Sequence, residues 1–123
     1  MADNELTGAE LVRAVAERVM GWQRQDGYNY WMTFSAGGTF KLHALIATWN
    51  PIESIEAAFQ VEDRLAELGL QNDYIAHLWI VVGATRNGIN FWTADNFKAF
   101  WLCVHATPEQ RCRAALAAIE SKE

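Results

Sequence analysis

The sequence predicts an α+β fold in one domain spanning 1–123, with a largely antiparallel sheet of four to five strands and three helices. Three observations predict it. The segments Asn50–Glu53 and Thr107–Gln110 each set an N-cap side chain, a proline and a capping-box residue in order, which marks helix starts. Around them lie runs rich in β-formers, separated by Gly-Gly and Asn-Gly dipeptides that suit hairpin turns. The length of 123 residues, with 51% hydrophobic and 20% charged, fits one domain with one core and excludes disorder.

The first helix is expected over about 8–20. Thr7 and Glu10 have capping-box spacing, Leu11, Val12, Val15, Val19 and Met20 recur at helical spacing, and Gly21 is a plausible stop, with Trp22 just beyond it. Tyr28–Phe34 reads as a strand, Ser35–Gly38 as a turn, and Thr39–Ala47 as the second strand of an antiparallel hairpin. The second helix is expected over 51–68, with Asn50 as N-cap, Pro51 in its first turn, a stripe of Ile52, Ile55, Phe59 and Leu65, and Gly69 as its end. Asp73–Gly83 is apolar on both faces, so it is expected to be the central strand, covered on both sides. Arg86-Asn87-Gly88 marks a turn. Ile89–Thr93 and Phe97–His105 follow as one bulged strand or two, broken at Ala94–Asn96. The third helix is expected over 108–121. The expected core is Val15, Val19, Ile55, Phe59, Leu65, Leu78, Ile80, Leu102, Val104, Leu116 and Ile119.

The charge balance is 10 Lys+Arg against 15 Asp+Glu, a formal −5. That argues against a nucleic-acid partner, because phosphate contacts need clustered cations. No apolar run approaches the ~20 residues of a membrane span, and Met1–Glu10 is polar and acidic, unlike a signal peptide. Two cysteines indicate neither a disulfide framework nor a cysteine zinc site. Aromatic residues make up 12% of the chain, six of them Trp. They fit either a bulky core or the lining of a pocket or interface. Trp22, Trp31, Trp79, Trp92 and Trp101 are more large rings than one small core readily hides. A homo-oligomer is therefore expected, a dimer by default.

Local chemistry is sparse. His43, His77 and His105 fall in predicted strands at long, irregular spacing, unlike a metal motif. Cys103 and Cys112 lack the surroundings of a nucleophile and read as buried small hydrophobes. Glu53, Glu56, Glu62, Asp63 and Glu67 crowd the middle helix, where solvation and the helix dipole account for them. No P-loop, nucleophile elbow or dinucleotide fingerprint is present. No catalytic residue, metal or cofactor is expected. The helix start at Trp49-Asn50-Pro51 has two readings: a plain cap beside a packed ring, or free N–H groups that receive an anion while Trp49 stacks on a flat ligand. Lys41 or Arg86 would then pair a phosphate.

Several segments resemble small tailed-phage and prophage proteins of the phage ABA sandwich family. Leu6–Leu11, Ala14–Ala16 and Gly21-Trp22 are similar to its opening, which NinX-type accessory proteins of lambdoid phages share. Tyr30-Trp31 looks like its aromatic strand, Trp49–Ala58 like its internal helix start, and Ala106–Ala118 like its closing helix. The sequence departs from the pattern at Ile52-Glu53-Ser54, where the family usually has Ser-Thr-Asp, which puts a polar site built there in doubt. The resemblance implies an α/β/α-type sandwich of phage origin, working in the cytoplasm of the bacterial host, with no settled activity. By analogy of size and source, it implies a non-enzymatic anti-defence binder. That binder would sequester a nucleotide-derived host immune signal of the cyclic nucleotide or cyclic ADP-ribose type. The alternative is a protein–protein inhibitor that contacts a host defence or replication protein by its surface. A nucleotide ligand would use Trp49, Asn50 and Ser54 at the second helix start, Arg86 on the Asn-Gly turn and Trp31 from the first strand.

Overall fold

The computed structural model describes residues 6–83 and 101–122. The first helix, α1 (Gly8–Ala14), runs on into a wider π-type turn at Val15–Val19, where the Met20 N–H reaches the Val15 carbonyl at 3.1 Å. Together they bury Leu11, Val15, Ala16 and Val19. The expected Thr7–Glu10 capping box is not formed. The Thr7 backbone carbonyl, not its hydroxyl, takes the Glu10 N–H at 3.0 Å. Gly21, at φ 72°, reverses the chain so that the Trp22 N–H bonds the Ala16 carbonyl at 2.9 Å.

The strands β1 (Tyr30–Phe34) and β2 (Phe40–Leu45) form the expected antiparallel hairpin. The turn closes with the Ser35 N–H on the Thr39 carbonyl at 2.8 Å, and Gly38 supplies the positive φ of 83°. Tyr30 pairs with Leu45, Trp31 with Ala44, Met32 with Leu42, Thr33 with Lys41 and Phe34 with Phe40. His43 is the extra residue at a bulge between the second and third of these pairs. On the other edge of β1, Gln23 exchanges backbone bonds of 2.8 and 2.9 Å with Met32.

The helix α2 (Ile55–Glu67) starts one turn later than the sequence suggests, with Ser54 as its N-cap accepting the Ala57 N–H at 3.3 Å. Asn50 caps only a single turn. Its side-chain oxygen accepts the Ile52 N–H at 3.3 Å, and its carbonyl takes the N–H groups of Glu53 and Ser54 at 3.2 and 2.9 Å. The extended backbone at Ser54 tucks Pro51 into the interior, where its carbonyl accepts the Cys112 thiol at 3.3 Å. Gly69, at φ 73°, ends α2, and α3 (Gln71–Val81) follows at once. The last helix, α4 (Pro108–Glu120), carries a complete capping box. The Gln110 N–H bonds the Thr107 hydroxyl at 3.1 Å, and the Thr107 N–H bonds the Gln110 side chain at 2.9 Å.

The α+β class stands, but the expected sheet of four to five strands with three helices does not. Among the described residues the sheet has two strands, β1 and β2, beside five helical segments. Asp73–Gly83 is not a central strand but mostly α3, and residues 101–104 are helical rather than extended. The physical reason lies in packing. One side of α3 buries Tyr74 and Leu78, while Ile75 and Ile80 on its other side stay exposed. Apolar residues on both sides of a half-exposed helix imitate a strand buried on both faces. Arg86–Gly88, Ile89–Thr93 and the first part of the Phe97–His105 strand lie outside the described residues.

The core sits around α4, which packs against α2, α3 and both parts of the first helix. Val15, Val19, Leu65, Leu78 and Leu116 are buried as expected, and Leu102 and Ile119 half-buried. Ile55, Phe59, Ile80 and Val104 are exposed instead. On α2 the buried stripe is Ala57, Ala58, Val61 and Leu65, so Ile55 and Phe59 turn outward and the Phe59 ring covers the Arg111 guanidinium at 5.4 Å. Arg111 ties several pieces together. It donates to Glu62 at 2.8 Å, to the Ala106 carbonyl at 3.1 Å and to the Val104 carbonyl at 2.9 Å, and the Tyr74 hydroxyl donates to the same Glu62 oxygen. Among the described residues no helix is long and apolar enough to cross a membrane.

Candidate functional site

An open cleft of about 460 Å³ lies between α1, Trp31 and the corner that joins β2 to α2. The α1 residues Gly8, Ala9, Glu10, Val12 and Arg13 form one wall, Ile46, Ala47, Trp49, Asn50, Ile52 and Glu53 the other. Trp31 and Arg24 close the space between them. The corner is shaped by ring packing. Trp22 stands 4.8 Å from Trp49, tilted by 60°, and lies nearly parallel to the His43 imidazole at 5.2 Å. The Trp49 ring N–H donates to the Gln60 side chain at 2.9 Å, which pins the corner to α2.

Trp31 is 2% exposed and Trp49 8%, so both offer the cleft edges rather than open faces. The Trp31 ring N–H is buried with no hydrogen-bond partner. The Arg24 guanidinium lies 6.0 Å from the Trp31 ring centre, and Arg13, nearly one turn beyond Glu10 on α1, reaches Glu17 at 3.5 Å on the protein surface. Glu10 and Glu53 also line the cleft, so its charge is mixed.

Of the residues the sequence singled out, Trp31, Trp49 and Asn50 meet in this cleft. Ser54 lines a smaller neighbouring one of about 240 Å³, which shares Trp49 and Asn50 with it. Arg86 lies outside the described residues. Because α2 begins at Ser54, the N–H groups that follow Asn50 belong to a single turn and are largely turned back onto Asn50 itself. Arg13 and Arg24 escaped sequence reasoning. Arg24 lies in a polar loop with no local pattern, and the only sign of Arg13 was its place on the polar side of α1.

The other candidate groups lie elsewhere. Of the three histidines only His43 is on a strand; His77 sits on α3, and His105 follows the helical residues 101–104. The His43 ring shares a 2.8 Å hydrogen bond with the Thr33 hydroxyl. Its pKa is lowered by partial burial and then by nearby Lys41. Burial pushes the Cys112 thiol up to about 12, with Glu109 adding to the shift, and burial raises Cys103 as well. Neither thiol has the thiolate character of a nucleophile at neutral pH. Burial and the Glu62 hydrogen bond hold the Tyr74 hydroxyl well above its usual range, so it stays a donor.

A family model described as the phage ABA sandwich domain matches residues 13–116. No curated protein and no solved structure matches the chain.

Proposed function

Because the chain belongs to the phage ABA sandwich domain family, we propose that this small phage protein is a non-enzymatic binder that sequesters a nucleotide-derived host immune signal in the cleft beside Trp31 and Trp49. The observation that carries the reading is the meeting of Arg13 and Arg24 with two tryptophans around one cleft of about 460 Å³. That volume falls in the range of small-molecule sites, roughly 300–1,000 Å³. A nucleotide brings oxyanions and a flat base. Guanidinium groups fork onto phosphate oxygens, and the edges of the two indoles give the base an apolar wall. Ser54, at the neighbouring cleft, would extend the site.

Titration calorimetry with cyclic nucleotides and cyclic ADP-ribose isomers tests this. Binding is expected for at least one member of the panel. Arg24→Ala should weaken it at least about tenfold and flatten its salt dependence, and Trp49→Phe should weaken it less than Trp49→Ala. A wild-type protein that binds no member of the panel overturns the reading. A second reading, inhibition of a host defence or replication protein by surface contact, is favoured by one observation: the Trp101 ring is 64% exposed. Tryptophan is the residue most enriched among energetic anchors of protein interfaces.

A further inference from the structure

The hairpin has two unlike faces. Trp31 points one of them into the core, and Thr33 and His43 share that side through their hydrogen bond. The cross-strand pairs Tyr30–Leu45, Met32–Leu42 and Phe34–Phe40 form the other, because directly opposed residues project to the same side. The bulge makes this possible. Without the extra residue at His43, strict alternation would turn Leu45 to the side opposite Leu42 and Phe40; with it, all three β2 residues face outward together. Tyr28 joins them through an edge contact with Phe40 at 5.8 Å, and Phe34 meets the same ring at 6.3 Å.

Six of these side chains, Tyr28, Tyr30, Phe34, Phe40, Leu42 and Leu45, are each between 37 and 49% exposed around a fully buried Met32. We propose that this outer face of the hairpin is a two-fold interface with a second copy of the chain. Two observations favour a second copy as occupant. The first is area. Large apolar side chains present roughly 150–250 Å² each when free, so six of them at these exposures offer ~500 Å² per copy. A symmetric pair would bury ~1,000 Å², about the area a biological interface needs. The second is charge. The chain carries a formal −5, so two copies repel overall, but this face is made of uncharged side chains. Lys41, the one charged residue of β2, pairs with Thr33 on the opposite side. A neutral apolar face meets its own image without burying a charge, as an isologous contact requires. The contact lies on the side of the sheet away from Trp31, so the cleft stays open in the dimer and the inference does not depend on what the cleft binds.

Sedimentation equilibrium of the full chain tests it. The wild type should be dimeric at ~100 μM. Leu42→Asp places two carboxylates in the interface and should raise the dissociation constant at least about 100-fold. Ile80→Asp, on the exposed side of α3, should leave it within about twofold. A monomeric wild type at ~100 μM overturns the proposal, and so does a folded Leu42→Asp protein that dimerises like the wild type. Should Leu42→Asp fail to fold, hydrogen exchange on the wild type decides. Protection over residues 28–45 should rise between ~1 and ~100 μM, and a rise confined to any other segment, or no rise, is equally fatal.

Discussion

The helix α4 hides Cys112, Ala114, Ala115, Leu116 and Ala118 among three neighbouring helices, whereas β2 hides none of its six residues. The hairpin is fastened to the rest of the molecule by few devices: Trp31 in the core, the Trp22 ring laid on His43, and the backbone bonds of 2.8 and 2.9 Å between Gln23 and Met32. The contrast separates two duties. The helices around α4 contribute stability, and the hairpin lends a strand to the cleft on one side and an apolar face to solvent on the other. Such a division leaves the hairpin free to be reshaped for binding at little cost to folding.

The sharpest way to break the comparison is to remove equal volumes from the two regions. Leu116→Ala leaves a cavity in the fully buried centre of α4 and should cost about 2–5 kcal/mol. Leu42→Ala in dilute, dissociated protein removes a side chain that is 44% exposed and should cost less than about 1 kcal/mol. Urea unfolding at ~1 μM reads both. Comparable losses at the two sites would show that the hairpin is as integral to stability as α4.

A smaller effect is expected at the start of α4. Thr107→Ala deletes the acceptor for the Gln110 N–H and one half of the capping box, which should cost about 1 kcal/mol. Thr107→Ser keeps the hydroxyl and should restore most of it. A full loss in the serine variant would show that the methyl group, rather than the cap, matters there.

These caps also explain what the sequence discloses. The boundaries of α4 are written in adjacent residues, Thr107, Pro108 and Gln110, whose chemistry is local and needs no tertiary context. The hairpin is equally local, with Gly38 in its turn. The start of α2 is ambiguous because Asn50 and Ser54 are both competent caps one turn apart, and the burial of Pro51 beneath α4 decides between them. The identity of α3 is not local at all. Leu70 gives it no side-chain cap, and its Ile and Val residues favour strands in isolation. Its helical form is fixed by the reversal at Gly69 and by packing on α4. The site divides in the same way. Trp31, Trp49 and Asn50 stand out as aromatic and cap residues, while Arg13 and Arg24 become neighbours of the cleft only when the chain folds back at Gly21.

The smallest expected effect belongs to the fastening of the hairpin, and acid should reveal it. Partial burial and Lys41 together lower the His43 pKa from its ordinary 6.5. A lowered pKa in the folded protein means that the unfolded chain takes up the proton first. The stability associated with this residue is therefore fully present above about 6.5 and is lost as pH falls below it toward the folded value. The charged ring would also meet Lys41, so the loss should appear first in the hairpin. His43→Gln keeps a hydrogen-bonding group beside Thr33 but cannot charge. Between pH 8 and 5.5 the urea midpoint of the wild type should fall more steeply than that of this variant, with Trp22 fluorescence following the difference because its ring rests on His43. Carboxylates titrate in both proteins, so only the difference in slope reports His43. Parallel slopes would mean that the imidazole charges as readily in the folded chain as in the unfolded one, and that burial and Lys41 do not bear on its proton.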